Sequence, residues 1–487
     1  MNGTKKIERL LVANRGVAAV RIMHTCRDRK IPTTAVYSTP DRLGHHVFMA
    51  DKAVHIGEAP PADSYLNMEK ILQAAFESGA NAVHPGWGFL AENADFARMV
   101  MDAGLIWVGP PPEVIDGMGD KAQARQLAIK AGVPVIPGTE EVTSATDALK
   151  WMKESGVGCP IMIKAVAGGG GRGLVRVDRP EDLEQAINQA SSEAEKAFGS
   201  GTLILEKFIE NARHIEVQVL ADQAGQTFHL YERECTIQRR NQKVLEEAPS
   251  PSLTEELRQE ICGQAVNLTK AMDYYSVGTV EFIFDINTKK YYFLEVNTRL
   301  QVEHGITELI TGFDLVSLMI DVAEGQSLQI TQDKIKPNRW AIEARLNAED
   351  PETLGPSFGR ISRLRTPEGP SVRVASGVYQ GASVPPYYDS LLMLIMSAGH
   401  NRENALKVMD RALGRSLRVE GVKTLKPLLL SIIRHPAFRS GDFSTRFIDD
   451  NIQELIRAFR EPTAEDELLK VAQYLAEVSA LGPRSWV

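Results

Sequence analysis

The sequence predicts a chain of several lobes, α/β at its amino terminus and α+β beyond it. Three observations predict this. Apolar runs and helical spacings alternate from residue 8 to about residue 115, the pattern of a parallel sheet joined by helices. Near residue 120 that alternation stops, and a smaller unit with a glycine-rich loop follows. From residue 209 onward, strand patterns are joined by hairpin signals. The length of 487 residues is roughly three times the ~150 residues of a usual domain, which agrees with several units.

Residues 8–14 form a short apolar run, 17–28 carry helical spacing through Val20, Ile22 and Met23, and Thr34 to Tyr37 reads as a second strand. This is a βαβ opening. Met68 to Ser78 and Asp95 to Asp102 read as helices, Ala82 to His84 and Ile106 to Gly109 as strands. The first turn has one glycine where a dinucleotide fingerprint needs three, so NAD binding has no support. Met118-Gly-Asp-Lys-Ala opens a predicted helix to Ala131, ended by Gly132 and Pro134. The smaller unit, 136–208, holds strand Ile161 to Ala165, the glycine loop, strand Leu174 to Val177, an acidic helix from Pro180 and strand Leu203 to Glu206. Hairpin signals follow at Asp222 to Gln226 and Asp285 to Lys290. Beyond Pro462, Leu468, Val471, Leu475 and Val478 are spaced by three and four, which predicts one amphipathic helix.

Hydrophobic residues make up 43% and charged residues 24%, which excludes a mostly disordered chain, a collagen or a coiled-coil rod. The net charge of -8 argues against a broad nucleic-acid footprint. Cys26, Cys159, Cys235 and Cys262 are too widely spaced for a CxxC pair and too sparse for a disulfide scaffold, so free thiols in a reducing, cytoplasmic setting are expected. The run Leu10 to Ala13 is shorter than a signal-peptide core. Leu391 to Met396 and Leu428 to Ile433 are too short to cross a bilayer.

Three constellations carry chemistry. In the first, strand lysine Lys164 leads into the loop Gly168 to Gly173. Glycines let backbone N–H groups close on phosphate oxygens, and the lysine adds a point charge. A mobile loop without a ligand is the alternative. No GxxxxGK[ST] and no kinase-type HRD or DFG set occurs. In the second, counting outward from residue 288 sets Glu281 opposite Glu295, with Asn297 on the same strand face. Oxygen donors of this kind suit Mg²⁺ carrying ATP phosphates, although solvated acids on a surface hairpin give the same pattern. If the chain stays extended, Arg299, Gln301 and Glu303 keep that parity, and an arginine beside a carboxylate could hold a small anion and take its proton. In the third, Arg239, Arg240 and Lys243 gather positive charge, either as an anion site or as a salt-bridged surface loop.

Together with His84-Pro-Gly-Trp-Gly-Phe-Leu-Ala-Glu-Asn, Gln238-Arg-Arg-Asn-Gln-Lys-Val-Leu-Glu-Glu-Ala-Pro, Asn297-Thr-Arg-Leu-Gln-Val-Glu-His and Val384-Pro-Pro-Tyr-Tyr-Asp, these pieces resemble biotin carboxylase, in collinear order over residues 6–455. The resemblance implies an N-terminal α/β domain (1–118), an ATP-grasp domain (119–340) with a mobile lid (136–208), a C-terminal biotin carboxylase domain (341–455) and a helical tail (456–487). It implies a ligase that spends ATP to activate bicarbonate as carboxyphosphate and carboxylates N1 of biotin on a carrier protein. Lys121, Lys164, Gly170, Gly171, Glu206, Lys207, Ile209, His214 and Gln238 would contact ATP. Glu281, Glu295 and Asn297 would hold Mg²⁺ or Mn²⁺. Lys243, Arg299, Gln301 and Val302 would bind bicarbonate, with Glu303 as its base and Arg345 stabilising the biotin enolate. Biotin carrier and carboxyltransferase subunits in trans, and a homodimer, are the implied partners; neither nucleic acid nor membrane is.

The chain departs from the family's usual residues at several positions. Asn241 replaces a histidine near the nucleotide and cannot become cationic. Met393 and Leu394 replace a small residue and a lysine. Gly305 replaces a proline, Val17 an acidic residue and Ala167 a glycine. Val17 and Leu394 bear on subunit contacts or on the approach of biotin. The rival readings are an ATP-grasp carboxylase with another acceptor and a nucleotide-binding scaffold of low activity.

Overall fold

The computed structural model describes residues 5–139, 141–142, 144–166, 173–460, 468 and 471–476. The amino-terminal unit runs β1 (Leu10–Val12), α1 (Gly16–Asp28), β2 (Thr33–Ser38), α2 (His45–Met49), β3 (Lys52–Gly57), α3 (Met68–Ser78), β4 (Ala82–His84), α4 (Ala94–Asp102) and β5 (Ile106–Trp107). Its five strands are all parallel, in the order β3-β2-β1-β4-β5. The chain therefore reverses direction across the sheet beside β1, and ligands of open α/β sheets gather at such switch points. β3 and α2 carry no clear period in the sequence. They form because β2 offers an edge and the core beneath it needs cover.

The helix predicted from Met118 to Ala131 is two helices, α5 (Pro112–Gly119) and α6 (Lys121–Lys130). The Asp120 carboxylate accepts from the backbone N–H groups of Ala122 and Gln123, so it caps α6 and breaks the run. The smaller unit follows, with α7 (Ala145–Ser155), β6 (Ile161–Ala165), β7 (Leu174–Val177), α8 (Leu183–Phe198) and β8 (Leu203–Lys207). Its antiparallel sheet, in the order β7-β6-β8, has its own core, including Ile161, Ile163, Leu183 and Leu205. The helix expected from Pro180 begins after one 3₁₀ turn.

Next come β9 (Ala212–Ala221), β10 (Thr227–Arg239), β11 (Gln242–Ala248), α9 (Glu255–Ala271), β12 (Ser276–Asp285), β13 (Tyr291–Asn297), α10 (His304–Thr311) and α11 (Leu315–Ala323). The final part holds β14 (Trp340–Asn347), β15 (Gly359–Arg360), β16 (Arg363–Arg365), β17 (Val372–Ser376), β18 (Ser383–Val384), β19 (Leu391–Gly399), α12 (Arg402–Arg411), β20 (Arg418–Glu420), α13 (Lys426–Arg434), α14 (Pro436–Ser440) and α15 (Phe447–Arg460). One eight-stranded sheet, β13-β12-β9-β10-β11-β14-β19-β17, spans both parts. The hydrogen-bonded seam between β11 and β14 makes them a single rigid floor. Residues 471–476 are helical, and Leu468, Val471 and Leu475 of the predicted stripe are exposed.

Candidate active site

A cavity of 1030 Å³ lies between the parallel sheet, the small unit and the large sheet, and every described candidate residue except Glu303 and Arg239 lines it. Lys121 opens α6 on one side. Lys164 on β6, Glu206 and Lys207 on β8 and Ile209 form the opposite wall. His214 on β9, Gln238 on β10, Lys243 on β11, Glu281 on β12, Glu295 and Asn297 on β13 and Arg345 on β14 make the floor, and Arg299, Gln301 and Val302 close its end. Gly170, Gly171 and Ala167 lie outside the described residues.

Lys164 forms an ion pair with Glu206. Burial lowers the pKa of the Lys121 ammonium group, with Glu295 acting against it. The floor is organised around Lys243, whose Nζ lies 2.5 Å from Glu216, 2.8 Å from Glu281 and 2.6 Å from Glu303. Burial alone would lower its pKa, but the three carboxylates raise it well above the ordinary lysine value. Glu281 stands opposite Glu295 in the β12–β13 ladder, as the count from residue 288 predicts. The Glu281 oxygen that meets Lys243 also accepts from the Asn297 amide at 2.9 Å, and its other oxygen is 2.9 Å from His214 Nε2. Gln238 donates to His214 Nδ1 at 2.7 Å, which sets the imidazole proton on the nitrogen facing Glu281. Burial opposes charge on His214, but Glu281 prevails and raises its pKa.

Burial raises the pKa of Glu281, yet Lys243 and His214 together hold it below the carboxylate range. For Glu295, burial and the charge of Glu281 raise it. Two facing carboxylates with opposite shifts, flanked by the Asn297 amide, fit a hard divalent cation, which would neutralise both.

The chain after Asn297 does not stay extended. It turns so that the Arg299 guanidinium donates to Asn297 at 3.0 Å and Gln301 at 3.1 Å, while Nε donates to Glu92 at 2.8 Å. Glu92 belongs to the His84–Asn93 segment, so this contact ties the parallel sheet to the large one. Glu303 is the residue before α10 and is wholly buried. One of its oxygens meets Lys243, and the other meets Arg345 at 2.9 Å. Burial would raise its pKa, but Lys243, Arg345 and Arg233 hold it well below the carboxylate range. Arg345 also binds Glu246 at 2.5 Å.

The basic triplet does not form one anion site. Lys243 and Arg240 face the cavity, whereas Arg239 turns to the other face of the hairpin, to Glu349 at 3.2 Å and the Leu354 carbonyl oxygen at 3.0 Å. Opposite faces follow from the strand's period of two. Asn241 sits with Arg240 in a two-residue turn, at φ 62° and 48°, where both central residues need positive φ and asparagine is favoured. Val17 and Leu394 are both buried, at 4% and 1% exposure, and Val17 lines the cavity.

Sequence reasoning missed Glu216, which is wholly buried and anchors both Lys243 and Arg233. Its signal is the alternation His214, Glu216, Gln218 between apolar neighbours, which normally marks a solvent-facing side. It also missed Trp87, Glu92 and Tyr388, brought in from other elements.

The chain matches the family models for the biotin carboxylase N-terminal domain at 6–115, the carbamoyl-phosphate synthase L chain ATP binding domain at 120–331 and the biotin carboxylase C-terminal domain at 343–450. It is 46% identical over 445 residues to biotin carboxylase 1 of Bacillus subtilis, covering 91% of this chain and 98% of that one. It is 42% identical over 486 residues to pyruvate carboxylase 1 of Caenorhabditis elegans, spanning 98% of its own length but 41% of that protein. The crystal structure of the biotin carboxylase domain dimer of Hydrogenobacter thermophilus 2-oxoglutarate carboxylase, solved with MgADP, ADP and bicarbonate, superposes with a TM-score of 0.88 at 43% identity, covering 93% of this chain and 99% of that one. On this agreement of sequence, fold and site, the chain belongs to the biotin carboxylase family.

Proposed function

We propose that this chain catalyses the MgATP-dependent carboxylation of N1 of a protein-bound biotin, with bicarbonate as the carbon source. One observation carries the reading: a buried carboxylate, Glu303, is clamped between Lys243 and Arg345 beneath a cavity that Lys121 and Lys164 also line. The clamp keeps Glu303 ionised and able to accept a proton, but it also lowers its basicity, which is regained when an incoming anion draws Lys243 onto itself. Lys121, Lys164 and His214 would meet the phosphates of ATP, with Glu206, Lys207, Ile209 and Gln238 at the rest of the nucleotide. Glu281, Glu295 and Asn297 would hold Mg²⁺ or Mn²⁺, which when bound offsets the negative charge of the phosphates.

Bicarbonate is a weak nucleophile that must approach an anionic phosphate. Arg299, Gln301, Val302 and Lys243 would hold it, which replaces a bimolecular encounter by an oriented one. Glu303 takes the hydroxyl proton, the freed oxygen bonds to the γ-phosphorus, and the bond to ADP breaks, giving carboxyphosphate. The bond between the carboxyl carbon and the phosphate oxygen then breaks, the released phosphate takes the N1 proton of biotin, and the carboxyl group bonds to N1, with the Arg345 guanidinium opposing the negative charge that builds on the ureido oxygen. The small unit, residues 136–208, acts as a lid that excludes water and so prevents idle hydrolysis. Its sheet has a core separate from that of the floor, which lets it move as a body.

A biotin carrier and a carboxyltransferase are the partners this reading requires, with a second copy of the chain as a homodimer partner. No described helix is long and apolar enough to cross a membrane, and none of the four cysteines is in a disulfide, which supports a reducing, cytoplasmic setting. Phosphate release from MgATP, measured with and without bicarbonate and with free biotin or a biotinylated carrier, tests the proposal. Release that needs both bicarbonate and biotin is expected. Release with bicarbonate but no response to biotin would point to another acceptor, and nucleotide binding without release would point to a scaffold.

A further inference from the structure

On β14, two residues before Arg345, stands a carboxylate that the reaction above does not use. Glu343 is wholly buried, and neither of its oxygens meets a hydrogen-bond donor among the described residues. Directly opposite it on β11 is Glu246, also wholly buried. One oxygen of Glu246 is held by Arg345, and the other meets no donor either. Two acids therefore face each other across a ladder pair, where side chains approach closely, with acceptors on both sides and no donor between them.

Among the described residues no cation forms an ion pair with Glu343, although Arg345 and Arg233 act on it from a distance. Its neighbour on β19 is Met396, and Leu394 on the same face stands opposite Arg345. α10 covers this face with Gly305, whose Cβ, were there one, would lie 3.5 Å from Glu343 Oε2. Arg373 on β17 is engaged by Glu308 at 2.7 Å. Arg233 on β10 is engaged by Glu216, Gln218 and Thr307. Lys243 is held by its three carboxylates, and His304 keeps Nδ1 on the Gln301 carbonyl oxygen. Two ionised acids in this position would bury two like charges against one guanidinium that Glu303 also needs.

We propose that Glu343 and Glu246 share one proton at neutral pH, and that this proton keeps Arg345 on Glu303. The hydroxyl of one acid donates to the oxygen of the other, which engages two of the three oxygens left without a partner. Burial and the charge of Glu246 push Glu343 well above the carboxylate range, and Glu246 itself is raised to about 7 by burial against the pull of Arg345. Glu343 is thus a positioning residue, acting through Glu246 on the arginine. Loss of the shared proton adds a second negative charge that draws Arg345 towards the acid pair and away from Glu303. The role rests on the biotin carboxylase reading, whereas the shared proton itself does not.

Two measurements on the full chain separate these. Infrared difference spectra at neutral pH should show a protonated carboxylic acid band in the wild-type protein that Glu343→Gln abolishes, whatever the enzyme turns over. In kinetics, Glu343→Gln gives Glu246 an amide donor that cannot ionise, so the alkaline limb of biotin-dependent kcat should move to higher pH while KM for ATP stays unchanged. Glu343→Leu, which offers no donor, should lower kcat at every pH. If Glu343→Gln does not fold, Leu394→Lys sets an ammonium group on the same face and must abolish the band by ionising Glu343. A band that survives these substitutions overturns the shared proton. Coincident pH profiles for wild type, Gln and Leu variants overturn the positioning role.

Discussion

Glu303 and Lys243 show how far single residues decide this site. Removal of the base by Glu303→Gln should cut bicarbonate-dependent phosphate release by about 10²–10⁴-fold, while MgADP still raises the melting temperature. Undiminished release would remove Glu303 from the role of base. Lys243→Met should cost about 3–5 kcal/mol in urea unfolding, because Glu216, Glu281 and Glu303 would lose their common cation. Glu281, Glu295 and Asn297 were legible from the sequence because a hairpin's period of two fixes which residues share a face, whereas Glu303 was legible only through the family resemblance, since the chain turns after Asn297. Glu216 and Glu343 were not. Each sits on an alternating strand that looks half-solvated, and only the packing of other layers buries that polar side.

At the scale of elements, two tight fits explain departures from the family's usual residues. The β10–β11 turn holds Asn241 at φ 62°, a region that costs most residues about 1–2 kcal/mol. Asn241→Val should lose about that much stability in chemical denaturation, and Asn241→Gly almost none. Asn241→His tolerates the turn and adds a group that can be cationic. It should lower KM for ATP by up to about fivefold, the value of a ~1 kcal/mol exposed charge contact; an unchanged KM would mean that turn geometry, not charge, is what position 241 contributes. On α10, a Cβ at Gly305 would collide with Met396 Sδ, and Met396 is 1% exposed, so its side chain must repack within the core. Gly305→Ala should therefore destabilise by about 1–2 kcal/mol despite alanine's better helix propensity. The cost should shrink in a Met396→Ala background, which a double-mutant cycle reads directly. Helix and strand positions were largely visible in the sequence, down to Met68–Ser78 and Ala82–His84. The break at Asp120 was missed because a capping carboxylate and an exposed polar helix residue look alike until the backbone bends.

For the whole molecule, buried neutral histidines couple stability to pH. Burial lowers His46 and His304 to about 4 and His84 to about 3. An unfolded histidine titrates near 6.5, so between these values the unfolded chain binds protons that the folded one refuses. Their contribution is complete above about pH 6.5 and is lost as pH falls towards 4. The melting temperature should fall steadily over that window, and His84→Gln should flatten the slope; an unchanged slope would show that His84 is not held neutral by the fold. What the sequence determined by itself was local: the order of strands and helices, the Glu281–Glu295 pairing, the glycine loop and the family, because periodicity and turn chemistry act over a few residues. Only the tertiary structure decided that β11 and β14 join distant segments into one floor, that Glu92 reaches Arg299, and that Glu246 and Glu343 meet in the dark beneath Arg345. Those contacts depend on which faces are buried against which, and burial is a property of the packed whole that no local pattern encodes.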